Sequence, residues 1–304
     1  MRRRDQILKD RLSLKVAQEI TSLVASDSCG RCVSRLCRPE HWQSAAEKFA
    51  VLPRVAVVSG FFVPYADAPE TDGPGGAIIL ARAFLEQGLK AEVWTDGLCI
   101  DIFRACALAA GFPEQLVRDV EAENALTSFS PEGVIFTERL GRALDGNYYN
   151  MKKRDISAWT PKLDELAIRC AQIGVSTIGI GDGGNEVGMG NFYEELSVML
   201  PDYRECLSVV KTDIAIPVDV SNWGSYALVT ALSDVWGVWR GHRGEDERAM
   251  TEAIVRSGAV DGVSGKAELT VDGLPLSCHE AVSYGLFEIW KKRPDRTEND
   301  EGCI

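Results

Sequence analysis

The sequence predicts an α/β fold: a three-layer, largely parallel, Rossmann-like sheet with helices on both faces, an N-terminal helical extension and a C-terminal β-hairpin. Three observations carry it. Short apolar runs alternate with longer segments of helical periodicity along most of the chain, the mark of strands joined through helices. The runs are apolar throughout, as strands covered on both faces should be. Polarity alternates only near the end, over residues 266–271, ahead of an Asp272-Gly273 pair.

Residues 1–50 form the expected helical extension, 51–292 the α/β domain and 293–304 a polar tail. Leu8, Leu12, Val16, Ile20 and Leu23 recur at helical spacing behind Asp5 as a cap, predicting a helix over 5–25, with a second short helix over 42–50. A strand follows over 54–59. Pro74 suits the first turn of a helix reaching Gln87, and Gly88 suits its stop. Next come a strand over 91–95, a helix over 99–110 and a polar stretch, 119–132, read as loop with a strand fragment. A strand over 133–137, a helix over 161–173 ended by Gly174 and a strand over 177–180 continue the alternation. Two more strands are expected over 207–212 and 214–218, then a helix over 223–239. Asp272-Gly273 is a favoured hairpin turn, and a helix over 278–292 closes the domain.

The chain has 304 residues, enough for one large core. Its formal net charge of −12 argues against nucleic acid or an anionic membrane as partner, since both need basic patches. A small anionic metabolite stays compatible, because a metal or a few arginines can reverse the sign locally. No apolar run nears the roughly 20 residues of a membrane span, and the basic start Met1-Arg2-Arg3-Arg4 leads into Asp5 and Lys9-Asp10 instead of an apolar signal core. Nine cysteines are mostly scattered. Cys99, Cys106, Cys170 and Cys206 lie in apolar surroundings and read as free thiols of a reducing, cytoplasmic setting. Cys29, Cys32 and Cys37, with His41 nearby, offer one CxxC pair and no second, so they read as a cysteine-rich helix-loop before a zinc site. Assembly as a homo-oligomer is left open.

Asp96, Glu138, Asp182 and Asp213 each follow an expected strand. Ligands of open parallel sheets bind beyond the carboxyl ends of the strands, so these carboxylates should converge. Clustered carboxylates repel unless a cation joins them, and oxygen donors suit Mn²⁺ or Mg²⁺, with Ca²⁺ a further candidate. Each acid alone reads as a solvated strand end or a helix cap; their recurrence points to a site. The densest segment is 179–190, where six of twelve residues are glycine and Asp182, Asn185 and Glu186 supply oxygens. Its spacing is neither a P-loop nor a dinucleotide fingerprint at the first strand. Gly183 and Gly184 can turn N–H groups toward a ligand. The expected metal ligands are Asp182, Glu186, Glu138 and Asp213. Arg139 and Arg142 offer planar forks for a carboxylate or phosphate, or an ion-pair network with Glu138 and Asp145. Ser221 and Asn222 head a helix as caps, as anion donors, or as both.

Thr71-Asp72-Gly73-Pro74, the stretch 138–150, the stretch 179–190, Ser221-Asn222-Trp223-Gly224 and Val271-Asp272-Gly273-Leu274-Pro275 occur in that order over about residues 50–280. In this they resemble the D-glutamate cyclase C-terminal domain family. Arg256-Ser257-Gly258 and Gly262-Val263-Ser264-Gly265 look like a sixth, slightly expanded motif. The resemblance implies a carbon–oxygen lyase that closes D-glutamate to 5-oxo-D-proline with loss of water. A divalent metal would polarise the γ-carboxylate, and Glu138 or Asp182 would keep the amine neutral. Carried onto the matching motifs, the substrate contacts are Thr71, Asp72, Gly73, Arg139, Arg142, Asn147, Gly183, Gly184, Asn185, Ser221 and Asn222. The eukaryotic cyclase has a second domain ahead of this one. Two other functions therefore stand beside the cyclase: a divalent-metal-dependent phosphohydrolase of small phosphate esters, and a non-catalytic metabolite-binding protein.

Overall fold

The structure, a computed structural model, describes residues 12–292. Along the chain, helices α1 (Leu14–Val24) and α2 (Pro39–Phe49) precede strand β1 (Arg54–Val58). A two-residue-deep ribbon, β2 (Phe62–Val63) and β3 (Ala68–Pro69), leads into α3 (Pro74–Glu86), β4 (Lys90–Thr95), α4 (Ile100–Ala109) and β5 (Val117–Asp119). The chain then runs through α5 (Ala122–Phe129), β6 (Gly133–Thr137), α6 (Glu165–Ile173), β7 (Ser176–Gly181), α7 (Tyr193–Met199) and β8 (Ile214–Pro217). Helices α8 (Ser221–Trp236) and α9 (Gly244–Arg256), the hairpin β9 (Thr270–Val271) and β10 (Leu274–Pro275), and α10 (Leu276–Lys291) complete it.

Six parallel strands form the central sheet in the order β5-β4-β1-β6-β7-β8. The chain builds outward from β1 to one edge, returns to β6, and builds outward to the other edge. Loops leaving β1 and β6 therefore part in opposite directions and open a crevice between them, the switch point at which doubly wound sheets bind ligands.

Alternate side chains of the strands enter different layers. Val55, Val57, Val93, Ile135, Ile178 and Ile216 face the larger one, packed against α1, α2, α3, α4 and α8 to α10. Ala56, Val58, Trp94, Val134 and Phe136 face a thinner layer closed by α5 and α6. The N-terminal helices join the larger core, with Val16, Ile20, Trp42 and Phe49 buried beside Ile216 and Trp223. Helix α8 is buried along Ser221–Val235, nearly its whole length, so its N-terminal N–H groups need partners inside the protein.

Several segments differ from the sequence expectation. The first helix is described only from Leu14, where Ser13 Oγ accepts the Val16 N–H at 3.1 Å; Asp5, Leu8 and the tail 293–304 lie outside the described residues. The polar stretch 119–132 contains helix α5. Residues 207–212 form no strand, because their backbone groups pair with loops: Ser208 donates to Gly184 O, and Val210 O accepts from Gly188. Helix α9 has no counterpart in the expectation; its buried apolar positions, Met250 and Ile254, are too few to mark a period. The hairpin keeps the Asp272-Gly273 turn, with φ of 56° and 74° at its centre, but pairs only two residues a side. Among the described residues, no helix is long and apolar enough to cross a membrane.

The crossing of β7 and the glycine-rich loop is the tightest backbone approach near the crevice. A Cβ on Gly179 would stand 2.3 Å from Val187 O and 2.6 Å from Gly188 Cα, both backbone atoms. Gly179→Ala should therefore lower stability by about 2–3 kcal/mol through overpacking, read as a lower urea midpoint at an unchanged slope. Gly88, with φ of 80° and open space around its Cβ position, should cost only the left-handed backbone penalty of about 1 kcal/mol on conversion to Ala. Equal losses in the two variants would refute the packing account.

Candidate functional site

Two helix N-termini meet at the crevice and cap one another. Asp72, just ahead of α3, accepts the N–H groups of Ser221 at 3.0 Å and Asn222 at 2.9 Å, the first two residues of α8. In return, the side-chain oxygen of Asn222 accepts the N–H groups of Gly73 at 3.1 Å and Gly76 at 2.7 Å, at the start of α3. Asp182 Oδ2 also accepts the Ser221 N–H, at 2.9 Å. Two carboxylates thus sit at the positive end of a buried 16-residue helix. Asn222 does cap, but the helix it caps is the neighbouring one; Ser221 is itself capped, and its hydroxyl has no hydrogen-bond partner.

Glu138 follows β6 with a φ of 43°, a left-handed conformation that costs a non-glycine residue about 1–2 kcal/mol. Gly73 makes room for it: a Cβ there would stand 3.1 Å from Glu138 Cβ. Oxygens of Asp72, Glu138 and Asp182, one from each, lie within 4.8 Å of one another. All three residues are buried, and Glu138 Oε2 has no hydrogen-bond partner. Burial above all, reinforced by the neighbouring carboxylates, pushes Glu138 and Asp72 well above the usual carboxylate range. Burial raises Asp182 too, opposed by Arg31 and reinforced by Glu186.

Glu138 and Asp182 of the triad border a cavity of about 240 Å³, and Asp72 lies behind them, outside its lining. Glu70 and Asp272 join its acidic side, while Phe61, Val63 and Tyr65 form an apolar wall. Glu70 is pushed well above its usual range, by burial first and then by Asp272 and Asp72. Arg31 enters from the loop after α1 and donates to Asp182 Oδ1 and Asp272 Oδ1. Lys152 lies at the outer edge, its ammonium 4.1 Å from the Tyr65 ring centroid.

Several expected site residues serve elsewhere. Asp213 precedes β8 instead of following a strand, so it lies at the amino end of the sheet, accepting from Thr177 N at 3.0 Å and Lys48 Nζ at 2.9 Å. It is not a metal ligand of this site. Glu186 borders the cavity, but its carboxylate accepts the N–H groups of Asp182, Gly183 and Gly184 at 3.0, 2.6 and 2.8 Å. The glycine-rich loop is thus wrapped around its own carboxylate, and the Gly183 and Gly184 donors face that group instead of a substrate. Arg139 is buried and donates to Asp96, Gly60 O and Pro161 O, joining three loops. Arg142 grips Asp164 through Nε at 2.6 Å and Nη2 at 3.0 Å. Asn147 is held to Asp145 at 3.0 Å. Neither arginine nor Asn147 lines the cavity, whereas Asn150 and Asn185 do. Thr71 is buried, its hydroxyl donating to Thr270 O at 2.8 Å, and it ties the hairpin to the site. His41 serves its own helix, Nδ1 accepting the Arg38 N–H at 3.1 Å.

Arg31, Glu70 and Asp272 are cavity residues that the sequence reading passed over. Asp272 was visible as a turn residue and as part of the last motif, without a site role, and Glu70 sits immediately before the Thr71–Pro74 motif. Arg31 lies between Cys29 and Cys32 with no periodicity to mark it.

The family model for the D-glutamate cyclase-like C-terminal domain matches residues 20–286. The chain belongs to this family. It is 29% identical over 318 aligned positions to human "D-glutamate cyclase, mitochondrial", covering 90% of this chain and 51% of the relative. The chain thus spans about half the length of the curated relative it matches. The D-glutamate cyclase-like match begins inside α1 and so takes in Arg31 together with the acidic triad.

Buried carboxylates with an open oxygen and no sufficient counter-charge fit a hard divalent cation. Asp72, Glu138 and Asp182 of this D-glutamate cyclase-like domain form a buried acidic triad that could hold a metal ion. The same electrostatics predict a pH dependence. Asp272 is raised from 3.8 to about 7, by burial first and then by Asp182. Between those values the folded chain holds more protons than the unfolded one, so stability falls as pH rises through the window. Metal-free protein should melt at a lower temperature at pH 8 than at pH 5. Asp272→Asn, which tolerates a positive φ, should flatten that slope, and an unchanged slope would show that Asp272 does not ionise in this window.

Proposed function

We propose that the chain closes D-glutamate to 5-oxo-D-proline, with loss of water, in the cavity beside Asp72, Glu138 and Asp182. The observation that carries this is the buried triad at the sheet's switch point, with Glu138 Oε2 left without a hydrogen-bond partner. A divalent cation held by the triad would polarise a carboxylate oxygen and make its carbon a better electrophile.

The chain's own residues account for the remaining needs. Ring formation removes two protons from the substrate ammonium, and the departing oxygen takes two to leave as water. The Glu138 carboxylate, through the oxygen that a cation would leave uncoordinated, is the group suited to carry them, receiving from nitrogen and returning to oxygen. Asn185 and Asn150 at the cavity wall suit substrate orientation. The apolar wall of Phe61, Val63 and Tyr65 limits bulk water, which favours a step that expels water. Similarity to a protein named as a D-glutamate cyclase supports this chemistry over others.

Incubation with D-glutamate and Mn²⁺ or Mg²⁺ should consume the primary amine and yield 5-oxoproline, with L-glutamate much poorer. Glu138→Gln and Asp182→Asn should each slow turnover by about 10²-fold or more. Phosphate release from phosphomonoesters, lost in Asp182→Asn and without turnover of either glutamate enantiomer, would replace the cyclase with a metal-dependent phosphohydrolase. A ligand-induced thermal shift with neither reaction would leave a binding protein.

A further inference from the structure

Arg31 holds one oxygen of the acidic triad. Of the two oxygens of Asp182, Oδ2 accepts the Ser221 N–H, and Oδ1 accepts from Arg31 Nη1. Oδ1 is therefore the oxygen with no backbone donor, and a divalent cation joining Asp72, Glu138 and Asp182 competes with Arg31 for it. Glu138, 7% exposed, keeps Oε2 without a hydrogen-bond partner beside it, so the triad has an acceptor that Arg31 leaves unsatisfied.

The backbone carrying Arg31 is firmly held. Asp219, beyond the carboxyl end of β8, accepts the N–H groups of Ser26, Asp27 and Ser28 at 3.0, 2.9 and 3.0 Å. Asp27 in turn accepts the Cys32 N–H at 2.7 Å. With the loop fixed, the mobile part is the long Arg31 side chain. Its second nitrogen, Nη2, holds Asp272 Oδ1 at 2.5 Å. A guanidinium released from Asp182 stays tethered at the cavity wall through Asp272, with Nη1 free and its fork directed at whatever fills the cavity. Lys152, exposed at the rim, lacks that fork.

We propose that Arg31 is an exchangeable counter-ion: a divalent cation displaces it from Asp182, and the released guanidinium then binds a carboxylate of the substrate, so that cation and anion bind cooperatively. The carboxylate half rests on the proposed cyclase function; the exchange half does not. Linkage makes the coupling reciprocal: whatever the anion does for the cation, the cation does for the anion.

Calorimetry with Mn²⁺, with and without glutarate, tests both halves. Glutarate keeps the two carboxylates of the substrate but has no amine to cyclise, so the result is independent of turnover. In the unaltered chain, saturating glutarate should tighten Mn²⁺ binding about tenfold or more, and glutarate should bind poorly without Mn²⁺. Arg31→Gln should bind Mn²⁺ about tenfold more tightly than the unaltered chain when no anion is present, and glutarate should no longer alter that affinity. Arg31→Lys keeps the charge and loses the fork. It should bind Mn²⁺ like the unaltered chain but show weakened coupling, and it decides the matter if Arg31→Gln does not fold. Mn²⁺ binding by Arg31→Gln no tighter than in the unaltered chain overturns the exchange. Equal glutarate coupling in the unaltered chain and Arg31→Gln overturns the anion role, and absence of Mn²⁺ binding in every protein overturns both. Failure to form 5-oxoproline in the separate turnover assay would sink the cyclase function and leave the exchange standing.

Discussion

The rest of the site depends on the mutual capping of α3 and α8. Helix α8 starts in the interior, where unpaired N–H groups would each cost about 1–3 kcal/mol. Asp72 satisfies two of them, and Asn222 answers by satisfying two at the head of α3. Because α3 follows β1 and α8 follows β8, this exchange spans the crevice and fixes its width. The positive end of α8 also makes Asp182 tolerable beside Asp72, so the acidic pair exists because the helix end does.

The carboxylates of this region fall into two kinds by what surrounds their oxygens. Glu186 is enclosed by three backbone donors, Asp164 by Arg142 and the Tyr148 hydroxyl, and Asp219 by a loop. These shape the backbone. Glu138 Oε2 and Asp272 Oδ2 are buried without partners, and Asp182 Oδ1 accepts from the Arg31 side chain. Open oxygens gathered on one side of a cavity are unfavourable in the empty protein. They mark where folding stability has been given up.

The strands were legible because a doubly covered parallel sheet demands continuous apolar runs, as in the wholly buried stretch Gly133–Thr137. From them followed the carboxyl-end location of Glu138 and Asp182. Asp213 misled because an apolar run at 207–212 looked like a strand while its backbone was bonding to loops, so the acid only precedes the expected strand β8 and follows none. The glycine-rich loop was legible as a special conformation, but not its purpose, since spacing cannot tell whether inward N–H groups meet a ligand or the chain's own Glu186. Arg139 and Arg142 show the same limit: a fork suited to a carboxylate is satisfied as well by Asp96 or Asp164. Arg31 depended on the path of a loop, which no local pattern encodes.

The separation in sequence between Arg31 and its partners has a consequence for assembly. Arg31 meets residues 151 and 241 positions later in the chain. During synthesis Arg31 emerges well before Asp182 and Asp272. Contacts of such long range form late in folding, after the loop-closure entropy has been met. The contact that gathers Asp72 and Asn222 spans 150 positions and the Arg31–Asp182 contact 151, so both form late, and acids that come together ahead of Arg31 are still wet. A cation present at that stage would meet an open cluster rather than one already guarded.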